Sequence, residues 1–130
     1  GRARRAAGLV LPERERRMGS EVAGLKLSGP LVRPDARRVK GEEAAKVRFL
    51  RGLSPSLFFP PAAREAGIDG RVNVDLLINE KGLVVEAQVI DESPPGMGFG
   101  LAALDAVRSY EFENPFKQLV LLTLQVQFEP

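Results

Sequence analysis

RVNVDLLIN at Arg71–Asn79, EKG at Glu80–Gly82 and LVVEAQVID at Leu83–Asp91 decide the fold. In the first stretch Val72, Val74, Leu76 and Ile78 alternate with Asn73, Asp75, Leu77 and Asn79, the period-two pattern of a strand with one face buried. Glu80-Lys81-Gly82 supplies the turn, with Gly82 expected at positive φ. The third stretch returns with Val85, Ala87 and Val89 facing in and Glu86 and Gln88 facing out, so the two strands make an antiparallel hairpin.

Downstream, Ser93-Pro94-Pro95-Gly96 breaks the chain. Phe99, Ala102, Ala103, Ala106 and Tyr110, flanked by Leu101, Leu104 and Val107, then recur at helical spacing and predict one helix with a broad apolar stripe. Asn114-Pro115 ends it, and Leu119–Glu129 alternates again, with Val120, Leu122, Leu124, Val126 and Phe128 inward and Thr123, Gln125, Gln127 and Glu129 outward. The economical way to bury these surfaces is an α+β module, a three-stranded antiparallel sheet with the main helix packed on one face and the other face wet. A right-handed crossover through the helix puts the second and third strands on either side of the first, leaving the last strand as an exposed edge.

Upstream, Leu57-Phe58-Phe59-Pro60-Pro61 is an apolar patch whose prolines forbid helix before it and permit one after it. A short N-terminal helix is therefore expected from Pro61 to Gly67, where glycine can adopt the left-handed conformation that ends helices. Further back, Glu21–Leu31 suggests a short strand, Glu42–Leu50 about two helical turns, and residues 1–18, rich in Arg and broken by Pro12, little fixed structure. The organisation expected is a basic tail or linker at 1–53, partly disordered, and a domain at 54–130.

The chain contains no Cys and no His. That removes disulfides, thiolate nucleophiles, Cys/His metal sites and every triad that uses an imidazole base. PPGMGFG lacks the Lys-Ser/Thr of a phosphate loop, and Asp69 with Asp75, or Asp91 with Glu92, read as surface carboxylates and not as an acid/base pair. No catalytic residue, metal or cofactor is expected, and the chain reads as something other than an enzyme. Residues 1–53 carry 14 Lys/Arg against 6 Asp/Glu, whereas 54–130 carry 5 against 11. The basic segment raises the question of nucleic acid, but the acidic domain would repel phosphate, so no nucleic-acid partner is expected. A basic protein partner, or the chain's own tail, suits that domain better. No apolar run approaches the roughly 20 residues of a membrane span.

The series Phe59-Pro60, Ala63, Gly67-Ile68-Asp69-Gly70, Val72-Asn73-Val74, Lys81-Gly82, Ala87-Gln88-Val89, Leu104, Ala106-Val107-Arg108, Tyr110-Glu111-Phe112 and Pro115 resembles the C-terminal domain of the TonB family, and Arg48-Phe49-Leu50-Arg51 resembles its lead-in. Phe59 stands where the family has Tyr, Tyr110 where it has Trp, and the turn lacks the usual Asp. The resemblance implies a periplasmic protein-binding module of an energy transducer, anchored to the inner membrane through a segment absent from this chain and coupling proton-motive force to an outer-membrane transporter or other envelope protein. It implies that an extended peptide segment of that partner adds as a strand to the sheet, and that inner-membrane motor proteins are reached through the upstream region. The alternative is an adaptor of the same fold in a larger envelope machine for secretion or motility.

The residues expected to meet a partner are Phe58, Phe59 and Pro60, with a core plug as their other reading, and Val120, Leu121, Thr123, Gln125 and Gln127 along the last strand. Neither Lys nor Pro protects that strand between Leu119 and Glu129, so a peptide, a second copy in a homodimer, or the N-terminal segment should cover it.

Overall fold

The structure, a computed structural model, describes residues 29–130. The expectations for residues 1–18, and for the strand within Glu21–Leu31 as far as residue 28, lie outside the described residues. In chain order the elements are β1 (Arg37–Arg38), α1 (Gly41–Ala45), β2 (Arg48–Arg51), α2 (Pro61–Ala66), β3 (Gly70–Ile78), β4 (Val84–Ser93), α3 (Phe99–Val107), β5 (Glu111–Glu113) and β6 (Val120–Phe128), with a tight turn at Pro55–Phe58 ahead of α2.

The hairpin forms where the alternation placed it, with β3 antiparallel to β4. Its turn is fixed by Asn79, whose Oδ1 accepts from the Lys81 and Leu83 amides, both at 3.0 Å. Gly82 has φ of 86°, and a Cβ there would lie 1.8 Å from the Phe112 carbonyl oxygen, so glycine is required both for conformation and for the close approach of β5. At the other side of β3, β6 pairs antiparallel from Gly70 opposite Phe128 to Ile78 opposite Val120. The crossover through α3 thus puts β4 and β6 on either side of β3, as expected.

Phe99, Ala102, Ala103, Ala106 and Val107 of α3 are buried against Val72, Val74, Leu76 and Ile78 of β3. The small alanines let the helix approach the sheet, and Phe59, Phe99 and Phe128 fill one end with ring centroids 5.3 to 5.8 Å apart. α2 starts on Pro61 and stops at Gly67, whose φ is 69°.

Four local expectations change. The return strand does not alternate as read: a register shift beside Leu77 and Ile78 sets Val84 against Ile78, leaving Val85 exposed. Glu42–Leu50 is not two turns of helix, because α1 ends at Ala45 and Arg48–Arg51 pairs antiparallel with β5. The helix region does not run on to Asn114, since Glu111–Glu113 is that pairing strand; Asn114 is buried and ties the next turn, donating to the Asn79 and Gln118 carbonyls at 2.9 Å. The sheet has a fourth, two-residue strand, β1, parallel to β6, in the order β1-β6-β3-β4.

The outer face of the sheet is only half wet. Gly29–Arg38 runs across it from β4, where the Gly29 amide donates to the Val89 carbonyl at 2.8 Å, to the outer side of β6. Leu31, Leu77 and Leu121 form a small second core beneath this segment, with Ala36 and Leu119 packed around it. Further along, Val39 and Val47 enter the main core. Part of the charge asymmetry resolves within the chain: Arg33 pairs with Glu86, Arg38 with Asp75, Arg48 with Glu113 and Arg51 with Glu111.

Candidate functional site

Among the described residues the sheet keeps backbone groups available on the outer side of β4 and along part of the final strand, and the latter is the edge the sequence singled out. β1 covers its N-terminal end: the Arg37 amide donates to the Leu119 carbonyl at 2.9 Å and the Val39 amide to the Leu121 carbonyl at 3.1 Å. Since Leu119 and Leu121 point their carbonyls outward, the period of two aims the amides and carbonyls of Thr123, Gln125 and Gln127 outward as well, and among the described residues β3 alone pairs this stretch of β6. Against the expectation of a last strand exposed along its length, β1 pairs Val120 and Leu121, whereas Thr123, Gln125 and Gln127 are exposed among the described residues.

The side chains of this bare stretch form a polar row. Gln127 donates to Gln125 at 2.8 Å, Gln125 approaches Asn73 at 3.5 Å, and Asn73 donates to Asp91 at 3.0 Å. All but the half-buried Asn73 are exposed. An incoming strand would find paired amide dipoles beside it and no charge opposing it on β6 between Thr123 and Gln127.

Beside it stands a group that the sequence reading left as a surface carboxylate. Asp75 is fully buried, and its oxygens accept from the Leu31 amide at 3.0 Å, from Arg38 Nη1 and Nη2 at 3.2 and 3.1 Å, and from Thr123 Oγ1 at 2.6 Å. Burial pushes its carboxyl up, but the bonds from Arg38, Thr123 and the Leu31 amide, with the Arg38 charge, outweigh that and hold it below the ordinary 3.8. Three of these four bonds come from the crossing segment, so this carboxylate clamps that segment to the sheet.

Among the expected partner-facing residues, Thr123, Gln125 and Gln127 lie together on the open edge. Val120 and Leu121 are buried. Phe59 and Pro60 are buried too, Phe59 within the Phe99–Phe128 cluster and under the Arg64 guanidinium, 4.7 Å from the ring centre. Their place is the core-plug reading, and Phe58 is half-buried beside it. The residues sequence reasoning missed are Leu31, Arg38 and Leu77. One signal for them was present: Leu77 is an apolar residue on the polar face of an otherwise alternating strand, which asks for a cover.

Among the described residues no group of three or more His, Cys, Asp or Glu is placed to hold a metal, and no helix is long and apolar enough to cross a membrane. Comparison with known families gives a match to the model described as Gram-negative bacterial TonB protein C-terminal, over residues 55–129. A solution NMR structure of the C-terminal domain of Pseudomonas aeruginosa TonB is similar in fold, with a TM-score of 0.53 and 24% sequence identity, covering 72% of this chain and 92% of that one. A search of curated proteins finds no match.

Proposed function

From the premise that this chain belongs to the Gram-negative bacterial TonB C-terminal family, we propose that it is a periplasmic module that grips an envelope protein by strand addition at Thr123–Gln127. The observation that carries this is the open edge itself: outward backbone groups on a strand locked into a nine-residue register with β3, with no lysine or proline in it and no covering loop among the described residues. Strand addition suits a load-bearing contact, because a row of backbone bonds pulled along the strand resists shear together. In this reading the partner is an outer-membrane transporter or another envelope protein offering an extended segment, the pull comes from inner-membrane motor proteins through an upstream anchor, and the module has no catalytic role. A homodimer would use the same edge.

The test is a photo-cross-linking residue at Gln125, with the protein in Gram-negative envelopes and the captured peptide sequenced. Capture of one defined extended segment is expected, abolished by Gln127→Pro and little altered by Gln127→Ala. Capture that survives Gln127→Pro, in a protein that remains folded, would rule out strand addition here.

A further inference from the structure

Resting on the reading of β6 as a docking strand, we propose that Gly29–Arg38 is a built-in occupant of that edge, a strap that lifts when a partner strand docks at full length. The strap already makes the bond a partner would make, Arg37 amide to Leu119 carbonyl, and it fills the N-terminal end of the same edge. Where it ends, the open stretch begins.

Its anchors lie on the sheet face away from α3 or at the outer edge of β4. They are Leu31 on Leu77 and Leu121, the Leu31 amide and Arg38 on Asp75, Arg33 on Glu86, and Gly29 on Val89 and Gln88, the last donating to the Gly29 carbonyl at 2.9 Å. Lifting the strap therefore breaks none of the packing between α3 and β3. Val47, buried in the main core beyond α1, is the fixed end about which it swings, so that the Val39 amide leaves the Leu121 carbonyl together with the strap. The two-residue pairing of β1 and a three-leucine core put the strap at the low-stability end of the molecule, whereas β3 is bonded on both sides along its length.

Lifting extends the open edge from Thr123–Gln127 back to Leu119. It also turns Asp75 from a buried ion into one facing the arriving segment, beside the uncovered Leu77 and Leu121. A partner segment carrying an aliphatic side chain and a cation can fill the seats that Leu31 and Arg38 vacate, which agrees with the acidic balance of residues 54–130. The strap is thus a low-affinity stand-in for the partner, and its docking strength sets how readily the edge is occupied.

The experiment uses the full chain and two release variants, Arg38→Ala and Leu31→Ala. By hydrogen exchange, the amides of Leu31 and Arg37 should lose at least tenfold protection in both variants while those of Val74 and Leu76 keep theirs. With the photo-cross-linker placed at Leu119 instead of Gln125, the intact protein alone should cross-link to its own strap. In envelopes it should capture the same segment that Gln125 captures, several-fold more in the release variants. If Gln125 captures a segment and Leu119 never does, in any variant, strand addition stands and the lifting strap falls. If Gln125 captures nothing, both fall. Loss of protection at Val74 and Leu76 together with Arg37 also overturns the proposal, because the strap would then belong to the single cooperative fold.

Discussion

The outer face of the sheet has two halves made by the same strands. Where Asp75, Leu77 and Leu121 stand, a crossing segment covers them; where Asn73, Gln125 and Gln127 stand, nothing among the described residues does. Both halves keep the period of two, so alternation says which way a side chain points and not whether it meets protein or water. The covered half carries an ion pair and leucines, groups that need a lid, and the bare half carries amides that satisfy one another. Composition of the outward residues thus distinguishes a face meant to be closed inside the chain from one left for another chain.

The largest test of this contrast compares one substitution in each half. Arg38→Ala leaves the Asp75 carboxylate with its charge unopposed and should cost about 3 kcal/mol, the low end for breaking a buried pair, since Arg38 itself is one-third exposed. Asn73→Ala should stay within about 0.5 kcal/mol. Urea denaturation measures both, and equal costs would erase the distinction. Because the strap undocks as a unit, adding Leu31→Ala to Arg38→Ala should cost much less than the sum of the two single changes.

A smaller effect is expected from acid. The folded Asp75 carboxyl lies below its ordinary 3.8, so the stability it contributes is present above that value and is lost as pH falls through the lower folded one. Strap protection, read from the Leu31 and Arg37 amides after correction for intrinsic exchange, should be flat from about pH 7 to pH 5 and fall only below about pH 4. Loss of protection near pH 6 would show that some other group controls the strap. In Asp75→Asn the acid step should vanish while the bare half behaves as before.

Much of the fold was legible because it rests on long periodic stretches. Val72 to Ile78, the turn at Gly82, the Phe99–Val107 stripe and the last strand each repeat their signal several times, and the right-handed crossover then fixes the order of the long strands. What escaped has no period to repeat. A two-residue strand at Arg37–Arg38 carries no alternation, and Leu31-Val32-Arg33-Pro34-Asp35 follows the face of the sheet through contacts made far away in sequence. Arg48–Leu50 looked helical because local propensity cannot register that Glu111–Glu113 will offer Arg48–Arg51 an edge with matching charges. A single register shift was enough to exchange Val84 for Val85. Of the candidate site, the open residues Thr123, Gln125 and Gln127 were readable from the strand alone, whereas the clamp at Asp75 depends on a segment more than thirty residues away, 44 for Leu31 and 37 for Arg38.

The smallest expected effect sharpens the contrast most. Gln125→Pro removes one N–H and fixes φ near −65°, which in an interior strand deletes a ladder bond and is strongly destabilising. On β6 the amide of residue 125 points away from β3, so no bond within the sheet is lost, and proline is tolerated on an edge whose N–H side faces solvent. The folded protein should therefore lose no more than about 1 kcal/mol, mostly from the shift of φ toward the proline value. The matched control is Leu124→Pro, one residue away, whose amide points to β3 opposite Val74; there the ladder is broken inside the sheet and the cost should reach about 3 kcal/mol or more. Thermal melts of the two variants give the answer directly. A Gln125→Pro protein as damaged as Leu124→Pro would mean that the amide at 125 is already engaged, and that the edge from Thr123 to Gln127 is closed within the chain like the half beside it.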